Sequence, residues 1–355
     1  MRILHVDTEK GFRGGEQQLL WLVEGLIKNG IDSAVATVED ELYNRCKEKK
    51  IETVRLTGNQ LTDWVRLAKE GKDYDIIHAH ASKALNISAL AKLFNKKPLV
   101  YTRRVDYKPK NDVFTKFKYN SADLIVSVSS AVKDVLNGFV DNGKLRVIYS
   151  ITNPLIESSV DFKKVEAIRK KYGNRFIVGT AAALTEQKNI PNLIEAASMV
   201  LRQHKDLVFI VAGEGNLKKQ LEKQLKSLSI EDRFFLIGFQ KDIQNYIKAF
   251  DLFVLPSDNE GFSGAILNAM ILKTPVVATD AGGAKEVIQN NETGILVPKR
   301  DSVALAKAIE RLYLDKKLRD KLIDKAYKRV KEKFSVEKMV KDYIMVYKEL
   351  MEVKQ

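Results

Sequence analysis

The sequence of 355 residues is poor in cysteine and proline and has no long apolar run. A single cysteine, Cys46, excludes an internal disulfide framework and any multi-cysteine zinc or iron–sulfur site. Apolar stretches such as 176–184 and 207–213 are much shorter than the roughly 20 residues of a membrane-spanning helix. The first residues contain too short an apolar core for a signal peptide. We therefore expect an intracellular, cytoplasmic protein.

Charge is not balanced along the chain. Sixty basic residues against 46 acidic ones give a net charge of +14, and residues 83–118 alone hold ten basic residues and two acidic ones, interleaved with aromatic residues. This segment favours an anionic or lipid-linked partner and peripheral contact with a membrane surface, although an ordinary lysine-rich surface is the alternative. Nucleic-acid binding is supported by net charge alone, because no nucleic-acid motif is recognisable.

The hydrophobic pattern predicts two α/β domains. Short apolar runs alternate with amphipathic stretches, as in β-α-β units around a parallel sheet, and the least periodic stretch, 153–172, separates two such series. We expect domains over 1–155 and 156–335, with a C-terminal helix over 336–355 that packs back toward the first domain. The predicted strands are 2–7, 32–37, 53–56, 76–79, 99–102, 124–128 and 146–149, followed by 176–180, 207–212, 234–237, 252–255 and 275–278.

A glycine pair follows the first predicted strand. Gly14 and Gly15 lie where a helix over 16–29 is predicted to begin, so that backbone N–H groups meet the positive end of a helix dipole. This arrangement suits a phosphate, but a tight turn that only needs glycine flexibility is an equal alternative. The spacing is neither that of a dinucleotide-binding fingerprint nor that of a P-loop, which argues against an oxidoreductase or a nucleotide hydrolase.

A second glycine-containing loop, residues 256–264, precedes another predicted helix. Ser263 is a natural N-cap, and Gly261 and Gly264 allow backbone N–H groups to approach an anion at the start of the helix. A carboxylate beside a phosphate is unfavourable, so we assign Glu260 to hydrogen bonds from sugar hydroxyls.

Histidines and acidic residues around 73–80 offer a further candidate site. His80 follows a predicted buried strand and lies at the sheet edge where ligands collect in α/β domains, whereas the alternative is one core and one loop histidine. We expect His78 and His80 to point to opposite faces and to make a poor metal pair. Asp73 and Asp75 form an Asp-x-Asp pattern that we interpret as the entry to a strand, and we expect no metal site.

Taken in order, several short motifs resemble the retaining glycosyltransferases of family 4, which have the GT-B architecture. They are Gly14-Gly15-Glu16, Asp75 to His80, Leu184-x-x-x-Lys188, Gly213-Glu214-Gly215, Gly238-Phe239, Glu260-Gly261-Phe262, Pro275 to Ala278, Gly282-Gly283-x-x-Glu286 and Gly294-x-Leu296-Val297. Each is weak alone, but their order and spacing are specific and cover nearly the whole chain. The resemblance implies two Rossmann-like α/β/α domains that face each other across a deep cleft.

The same resemblance implies a role for each matching residue. The second domain would bind a nucleotide-diphosphate sugar as substrate, the first would bind the acceptor, and no cofactor would be needed. Glu260 and His80 would contact the donor sugar at the reaction centre. The implied donor-binding residues are Gly14, Gly15, Lys188, Gly213, Gly238, Phe239, Gly261, Phe262, Ser263, Gly264 and Asn268. To these we add Arg103 and Arg104 as donor-binding residues on a hypothesis of our own.

The chain departs from the family pattern at two phosphate- or ribose-binding places. Asn268 replaces the second carboxylate of an E-x7-E motif, and Ala183 occupies the place of an arginine that many members carry. Our hypothesis is that Arg103 or Arg104, present where relatives often have a histidine, reaches across the cleft and supplies the missing charge.

The resemblance implies transfer with retention of configuration. Glycosidases achieve retention with two carboxylates about 5 Å apart, yet Glu260 is the only well-motivated carboxylate here. A front-side reaction, in which a leaving phosphate oxygen takes the acceptor's proton, is therefore implied. A cell-envelope glycan or glycolipid, such as a lipopolysaccharide core, is the first acceptor by analogy. A catalytically silent nucleotide-sugar binder and a sugar-nucleotide epimerase are the alternatives.

Overall fold

The computed structural model describes residues 1–12, 14–105, 107–152 and 155–352. The chain divides into two compact units. The first unit contains residues 1–151 and the C-terminal segment from Val336, and the second contains residues 152–335. Each unit is a parallel β-sheet covered by helices, and each is described by itself.

The first unit is built on a seven-stranded parallel sheet with the order β3-β2-β1-β4-β5-β6-β7. Its strands carry mostly aliphatic residues, because a parallel sheet covered by helices is buried on both faces. The bounds are β1 Arg2–Asp7, β2 Asp32–Thr37, β3 Glu52–Arg55, β4 Ile76–Ala79, β5 Leu99–Arg103, β6 Leu124–Ser127 and β7 Leu145–Val147.

The second unit is built on a six-stranded parallel sheet with the order β10-β9-β8-β11-β12-β13. Its central strands β9, β11 and β12 are buried along their whole length. The bounds are β8 Phe176–Ala181, β9 Leu207–Ala212, β10 Phe234–Leu236, β11 Leu252–Leu255, β12 Val276–Thr279 and β13 Ile295–Val297.

Fifteen α-helices are found in the described residues, and none of them is both long and apolar enough to cross a membrane. Several begin at Asp, Asn or Ser caps that accept a backbone N–H, as the physics of helix ends requires. The bounds are α1 Gly14–Lys28, α2 Asp40–Glu48, α3 Gln60–Glu70, α4 Ser82–Asn95, α5 Val113–Ser121, α6 Ser130–Asp134, α7 Phe162–Lys171, α8 Ile190–Gln203, α9 Lys218–Ser227, α10 Ile243–Ala249, α11 Gly264–Ile271, α12 Ala284–Val287, α13 Ser302–Leu314, α14 Lys316–Lys333 and α15 Val336–Glu352.

The C-terminal helix α15 completes the first unit. It packs on α1, where the backbone of Gly25 lies so close to Val340 that a Cβ on the glycine would overlap the valine side chain. Two tyrosines of α15, Tyr343 and Tyr347, are buried against one face of the sheet. The last helix therefore supplies part of the core of the first unit.

Both sheets have a topological switch point. In the first unit the chain order reverses between β1 and β4, and in the second it reverses between β8 and β11. At such a point the loops that follow the two strands run in opposite directions and leave a crevice at the carboxyl edge of the sheet, where ligands bind in open α/β folds. The predicted site residues lie mainly in the loops at these two edges.

All twelve predicted strands are present, with bounds that differ by two residues at most. One strand and one helix were not predicted. β13 is only three residues long, and this short apolar run was not identified as a strand. α7 lies in the stretch 153–172. This helix is polar and contains no buried residue, so its sequence shows no apolar period that would predict it.

Candidate active site

Two loops at the switch point of the second unit are joined by hydrogen bonds. The backbone N–H of Asp258 donates to the carbonyl oxygen of Gln187 at 2.9 Å, and the Gln187 side-chain amide donates to the carbonyl of Asn259 at 2.9 Å. The Asn189 amide donates to the Asp258 carboxylate at 2.9 Å. The loop after β8 is therefore held against the loop after β11.

This joining brings Lys188 and Glu260 together. The Lys188 Nζ lies 2.5 Å from the Glu260 Oε1, and the Ser257 hydroxyl donates to the same oxygen at 2.6 Å. The Glu260 side chain is 7% exposed and that of Lys188 is 23% exposed. A buried carboxylate is costly unless it is paired, and Lys188 and Ser257 supply the partners of Glu260 while the lysine head group keeps access to solvent.

The helix α11 begins directly after this pair. Ser263 accepts a hydrogen bond from the Ile266 N–H at 3.4 Å, which confirms its predicted position as the N-cap. A Cβ on Gly264 would meet nothing within 4 Å, so the first turn of α11 has free space beside it. Gly261 lies just before this turn, and the Phe262 ring packs on Phe334 with ring centroids 5.7 Å apart.

Asn268 lies one turn into α11 and already has a partner. Its side-chain oxygen accepts a hydrogen bond from the Thr152 hydroxyl at 2.8 Å. The oxygen that could accept from a ribose hydroxyl is thus engaged. If Asn268 binds the ribose as predicted, its amide nitrogen is the group that donates to a ribose hydroxyl.

Other predicted glycines are required by backbone packing. A Cβ on Gly213 would overlap the carbonyl oxygen of Ala182, and the Gly213 N–H donates to the carbonyl oxygen of Gly238 at 2.9 Å. Gly238 itself has a φ of +74°. Backbone packing therefore explains why glycine is needed at these two positions, which the sequence analysis had explained by donor binding. The neighbouring Phe239 is 75% exposed at the same edge.

In the first unit, Gly14 and Gly15 form the start of α1 beside the end of β1. A Cβ on Gly14 would meet nothing within 4 Å, whereas one on Gly15 would lie 3.5 Å from the Cδ of Arg104. The loop at the start of α1 therefore has open space and a guanidinium beside it. Arg13, the residue before the helix, lies outside the described residues.

Arg103 does not match its predicted role. The side chain is 2% exposed, and its guanidinium donates to the Tyr119 hydroxyl and to the carbonyl oxygen of Tyr107. A guanidinium turned inward and held by these partners is not free to reach a diphosphate. The sequence analysis proposed that Arg103 or Arg104 supplies positive charge to the diphosphate, and this role now stays a prediction for Arg104 alone.

The expectation about His78 and His80 was wrong, because residues i and i+2 of a strand point to the same face. Their rings lie on one side of the sheet with centroids 3.9 Å apart. His5, the register partner of His78 on β1, lies on the same face, with its Nδ1 3.0 Å from the His80 Nε2. The three histidines are fully buried or nearly so.

These histidines are the one group in the described ranges that has the arrangement of a metal site, since each offers a ring nitrogen within 4.8 Å of the others. Their existing bonds argue against an ion. Both nitrogens of His78 are hydrogen-bonded, to the Tyr347 hydroxyl at 2.7 Å and the Thr102 hydroxyl at 2.8 Å. His5 and His80 are bonded directly to each other, so a metal would have to displace several short hydrogen bonds.

The Asp-x-Asp pattern has the predicted structural role. Asp75 precedes β4 and accepts the backbone N–H of Arg2 at 2.8 Å. The Tyr74 hydroxyl donates to Glu52 at 3.0 Å. These side chains therefore connect the amino ends of β1, β3 and β4, at the edge opposite to the candidate site.

Comparison with known proteins assigns both units. Residues 12–154 match the family model described as Glycosyltransferase Family 4, and residues 161–329 match the model described as Glycosyl transferases group 1. This chain is a family 4 glycosyltransferase. It is thus an enzyme of the hexosyltransferase type, and its two Rossmann-like units are those of the GT-B architecture.

Individual relatives agree with this assignment. An uncharacterized glycosyltransferase of Methanocaldococcus jannaschii is 27% identical over 94% of this chain and 93% of its own length. A poly(ribitol-phosphate) alpha-N-acetylglucosaminyltransferase of Staphylococcus aureus is 29% identical over 63% of this chain and 43% of its own length. The structure of Anabaena HepE in complex with UDP-glucose has a TM-score of 0.83 at 23% identity, covering 98% of this chain and 100% of that one.

Two residues of this glycosyltransferase at the end of β1 were missed in the sequence. His5 and Asp7 are the last two residues of β1 that point to one face, and both are buried. A signal existed for His5, because it precedes the polar residue Asp7 by two positions at the end of a strand, as His78 precedes His80. Asp7 could have been noted as the polar last residue of a central strand.

Burial changes the ionisation of these groups. Desolvation lowers the pKa of His5 to about 3 and holds the pKa values of His78 and His80 well below the usual 6.5, with nearby cationic groups adding to the effect. Desolvation raises the pKa of Asp7 to about 7, and the Glu9 N–H that donates to this carboxylate opposes the rise. The three histidines are therefore neutral at pH 7.

The histidines make the first unit sensitive to mild acid. Below pH 6.5 the unfolded chain binds protons at these histidines and the folded chain does not, so each lowers the free energy of unfolding by about 1 kcal/mol between pH 6.5 and 5.5. Asp7 acts in the opposite direction, because its raised pKa makes the folded chain bind the extra proton. The expected net loss is about 2 kcal/mol over this interval.

Urea unfolding followed by tryptophan fluorescence measures this loss, since both tryptophans, Trp21 and Trp64, belong to the first unit. The variant Asp7→Asn removes the opposing contribution and is expected to increase the loss to about 3 kcal/mol. A free energy of unfolding that is constant or larger at pH 5.5 would contradict neutral, buried histidines.

Proposed function

We propose that this enzyme is a retaining, metal-independent glycosyltransferase that moves a sugar from a nucleotide-diphosphate sugar to a hydroxyl of a cell-envelope glycan or glycolipid. The observation that carries the proposal is the Lys188–Glu260 pair, a cation and a carboxylate joined at the start of α11 and at the switch point of the second sheet. The pair offers one group for each half of a nucleotide sugar. The diphosphate needs positive charge, and the sugar needs hydrogen-bond acceptors.

Donor binding would replace one set of contacts by another. The diphosphate would take the Lys188 ammonium and lie against the start of α11, where the helix dipole favours an anion. Glu260, still held by Ser257, then accepts hydrogen bonds from the sugar hydroxyls. Because the two groups neutralise each other before binding, neither is left buried and unpaired in the free enzyme.

The reaction would depend on positioning and charge. As the bond to the sugar breaks, negative charge develops on the leaving diphosphate, and Lys188 with the amide groups of α11 stabilises it in place of a divalent cation. The acceptor attacks from the face that the diphosphate vacates, and a phosphate oxygen takes the acceptor's proton. One carboxylate is sufficient for this route, because no covalent sugar–enzyme intermediate forms.

The experiment that tests the proposal measures donor binding and turnover. We expect one class among UDP-, GDP- and ADP-sugars to raise the melting temperature, and the nucleoside diphosphate to be released in buffer that contains EDTA. The product's anomeric coupling constant reports retention. Binding without release would indicate the catalytically silent alternative, and an epimerised nucleotide sugar without transfer would indicate an epimerase.

The variant Glu260→Gln separates binding from turnover within the same assay. It keeps the side-chain shape but removes the charge, so we expect kcat to fall by about 100-fold while affinity for the free nucleoside diphosphate changes by less than about threefold. Glu310→Gln is the matched control, because Glu310 is likewise a hydrogen-bonded carboxylate, whose partner is the His204 ring, but it lies on α13. An equal loss in both variants would contradict a role for Glu260.

The two adjacent arginines allow a second test. Arg104→Ala is expected to weaken binding of the nucleoside diphosphate by about tenfold, the value of one charge-assisted contact. Arg103→Ala is expected to lower the melting temperature, because the Tyr119 hydroxyl and the Tyr107 carbonyl lose their donor, while the affinity of the folded protein is unchanged. Calorimetric titration of both variants is the measurement. Unchanged affinity in Arg104→Ala removes this role.

We also propose peripheral contact of the first unit with the cytoplasmic face of a membrane. Three of the ten basic residues of 83–118 are bonded inside the unit, Lys92, Arg103 and Lys118, so the surface charge is smaller than the count suggests. One exposed stretch of this segment is 107–116, in which Tyr107 and Val113 are 65% and 86% exposed beside the exposed residues Lys108, Lys110 and Lys116. Exposed aromatic and apolar side chains between lysines suit an anionic lipid surface.

Sedimentation with liposomes tests this contact. We expect the protein to sediment with vesicles that contain anionic lipid and to stay in the supernatant with neutral ones. The double variant Val113→Ser, Phe114→Ser is expected to weaken sedimentation, since it removes apolar area and keeps the charge. The matched control is Leu61→Ser, Val65→Ser, which changes two exposed apolar residues of α3. Equal recovery in both kinds of vesicle would count against the contact.

A further inference from the structure

The C-terminal helix is connected to the carboxyl edge of the first sheet by a continuous set of buried hydrogen bonds. The Tyr343 hydroxyl lies 2.8 Å from the Thr102 hydroxyl, which lies 2.8 Å from the His78 Nε2. On the other side of the ring, the His78 Nδ1 lies 2.7 Å from the Tyr347 hydroxyl. Both tyrosines belong to α15, so this helix holds the His78 ring at each of its nitrogens.

The position of His78 in turn limits His80. The two rings are in contact, with centroids 3.9 Å apart, and the second neighbour of His80 is His5, bonded through its Nδ1 at 3.0 Å. The His80 ring is thus fixed by one packing contact and one hydrogen bond. It cannot rotate unless His78 or His5 moves.

The bond between His5 and His80 has a consequence for the outer nitrogens of the two rings. A neutral imidazole has one N–H and one bare nitrogen, so one of the two rings donates and the other accepts. The remaining nitrogens, the His5 Nε2 and the His80 Nδ1, are buried and have no hydrogen-bond partner. In either arrangement, one of these two nitrogens is an unpaired donor and the other an unpaired acceptor.

An unpaired buried nitrogen is costly unless a ligand satisfies it. The His80 Nδ1 belongs to the ring at the carboxyl end of β4, beside the switch point of the sheet. A sugar hydroxyl both donates and accepts, so it satisfies this nitrogen whichever tautomer is present. If the proposed function holds, the His80 Nδ1 contacts a substrate hydroxyl, and the residues around His80 hold its ring in the orientation that this contact needs.

We propose that Tyr347 and Tyr343 of the C-terminal helix are positioning residues for His80, and that they act through the hydrogen bonds that fix the His78 ring. The helix would therefore contribute to turnover without touching the substrate. Removal of the Tyr347 hydroxyl leaves the His78 Nδ1 without a partner, shifts the His78 proton toward Nε2 and Thr102, and loosens the surface on which His80 packs.

The test is the variant Tyr347→Phe in the full chain, with Tyr101→Phe as its matched control. Tyr101 is as deeply buried, in β5, but belongs to the core on the other face of the same sheet. Protein labelled with ¹⁵N-histidine is suitable because the chain has four histidines. The signals are assigned with single His→Gln variants, and His204 of the second unit is the internal reference.

In Tyr347→Phe we expect the ring ¹⁵N shifts of His78 and His80 to change and that of His204 to stay constant. With the UDP-, GDP- or ADP-sugar that the wild type turns over, kcat is expected to fall about tenfold, within the 10²-fold that a 1 Å misplacement can cost. KM for the donor should stay within about twofold, because the contact acts on orientation and not on diphosphate binding. Tyr101→Phe should lower stability similarly and leave the histidine signals and kcat unchanged.

Three results would overturn the proposal. They are unchanged His80 signals in Tyr347→Phe, an equal loss of kcat in Tyr101→Phe, and one equivalent of a transition metal in the purified wild type, which would assign the three histidines to an ion. If the wild type turns over no nucleotide sugar, the proposed function fails, and the histidine spectra still decide whether the helix orients His80.

Discussion

The structure depends on one constraint, that every strand of each sheet runs in the same direction. All loops that follow strands therefore leave at the same edge, and the reversal of chain order beside the first strand of each sheet opens a crevice there. Residues far apart in sequence become neighbours for this reason alone. Lys188 and Glu260, separated by 72 positions, are brought to 2.5 Å because β8 and β11 are adjacent at the switch point.

Close backbone approach and pairing of charges hold these loops in place. Gly282 and Gly283 lie against the backbone of Glu260 and Gly261, where the Gly283 N–H donates to the Glu260 carbonyl at 2.7 Å and a Cβ on Gly282 would overlap that carbonyl. The carboxylate of Glu260 is meanwhile held by Ser257 and Lys188. The backbone of this residue is thus fixed by glycine contacts and its side chain by polar ones, and such restraint is what catalysis by positioning requires.

The fold and the second-unit site were predictable because their signals are local. Strand bounds follow from apolar runs, and the N-cap at Ser263 follows from its own residue type and that of its neighbours. The motifs around Lys188 and Glu260 identified the family. What could not be predicted depends on long-range packing, with partners that the local sequence does not reveal. Examples are the inward turn of Arg103 toward Tyr119, the hydrogen bond between Asn268 and Thr152, and the packing that requires glycine at 213. The error about His78 and His80 was one of strand geometry.

The two units handle polar groups at their sheet edges in opposite ways. In the second unit, charge is balanced by charge, since the Lys188–Glu260 pair is neutral overall and only its lysine keeps partial access to solvent. In the first unit, the histidine cluster keeps polarity without charge, because His5, His78 and His80 are buried as neutral, hydrogen-bonded rings. A neutral imidazole can exchange hydrogen bonds with a hydroxyl group without the desolvation cost of an ion, so the histidine cluster of the first unit suits contact with hydroxyls, whereas the ion pair of the second unit suits a charged group.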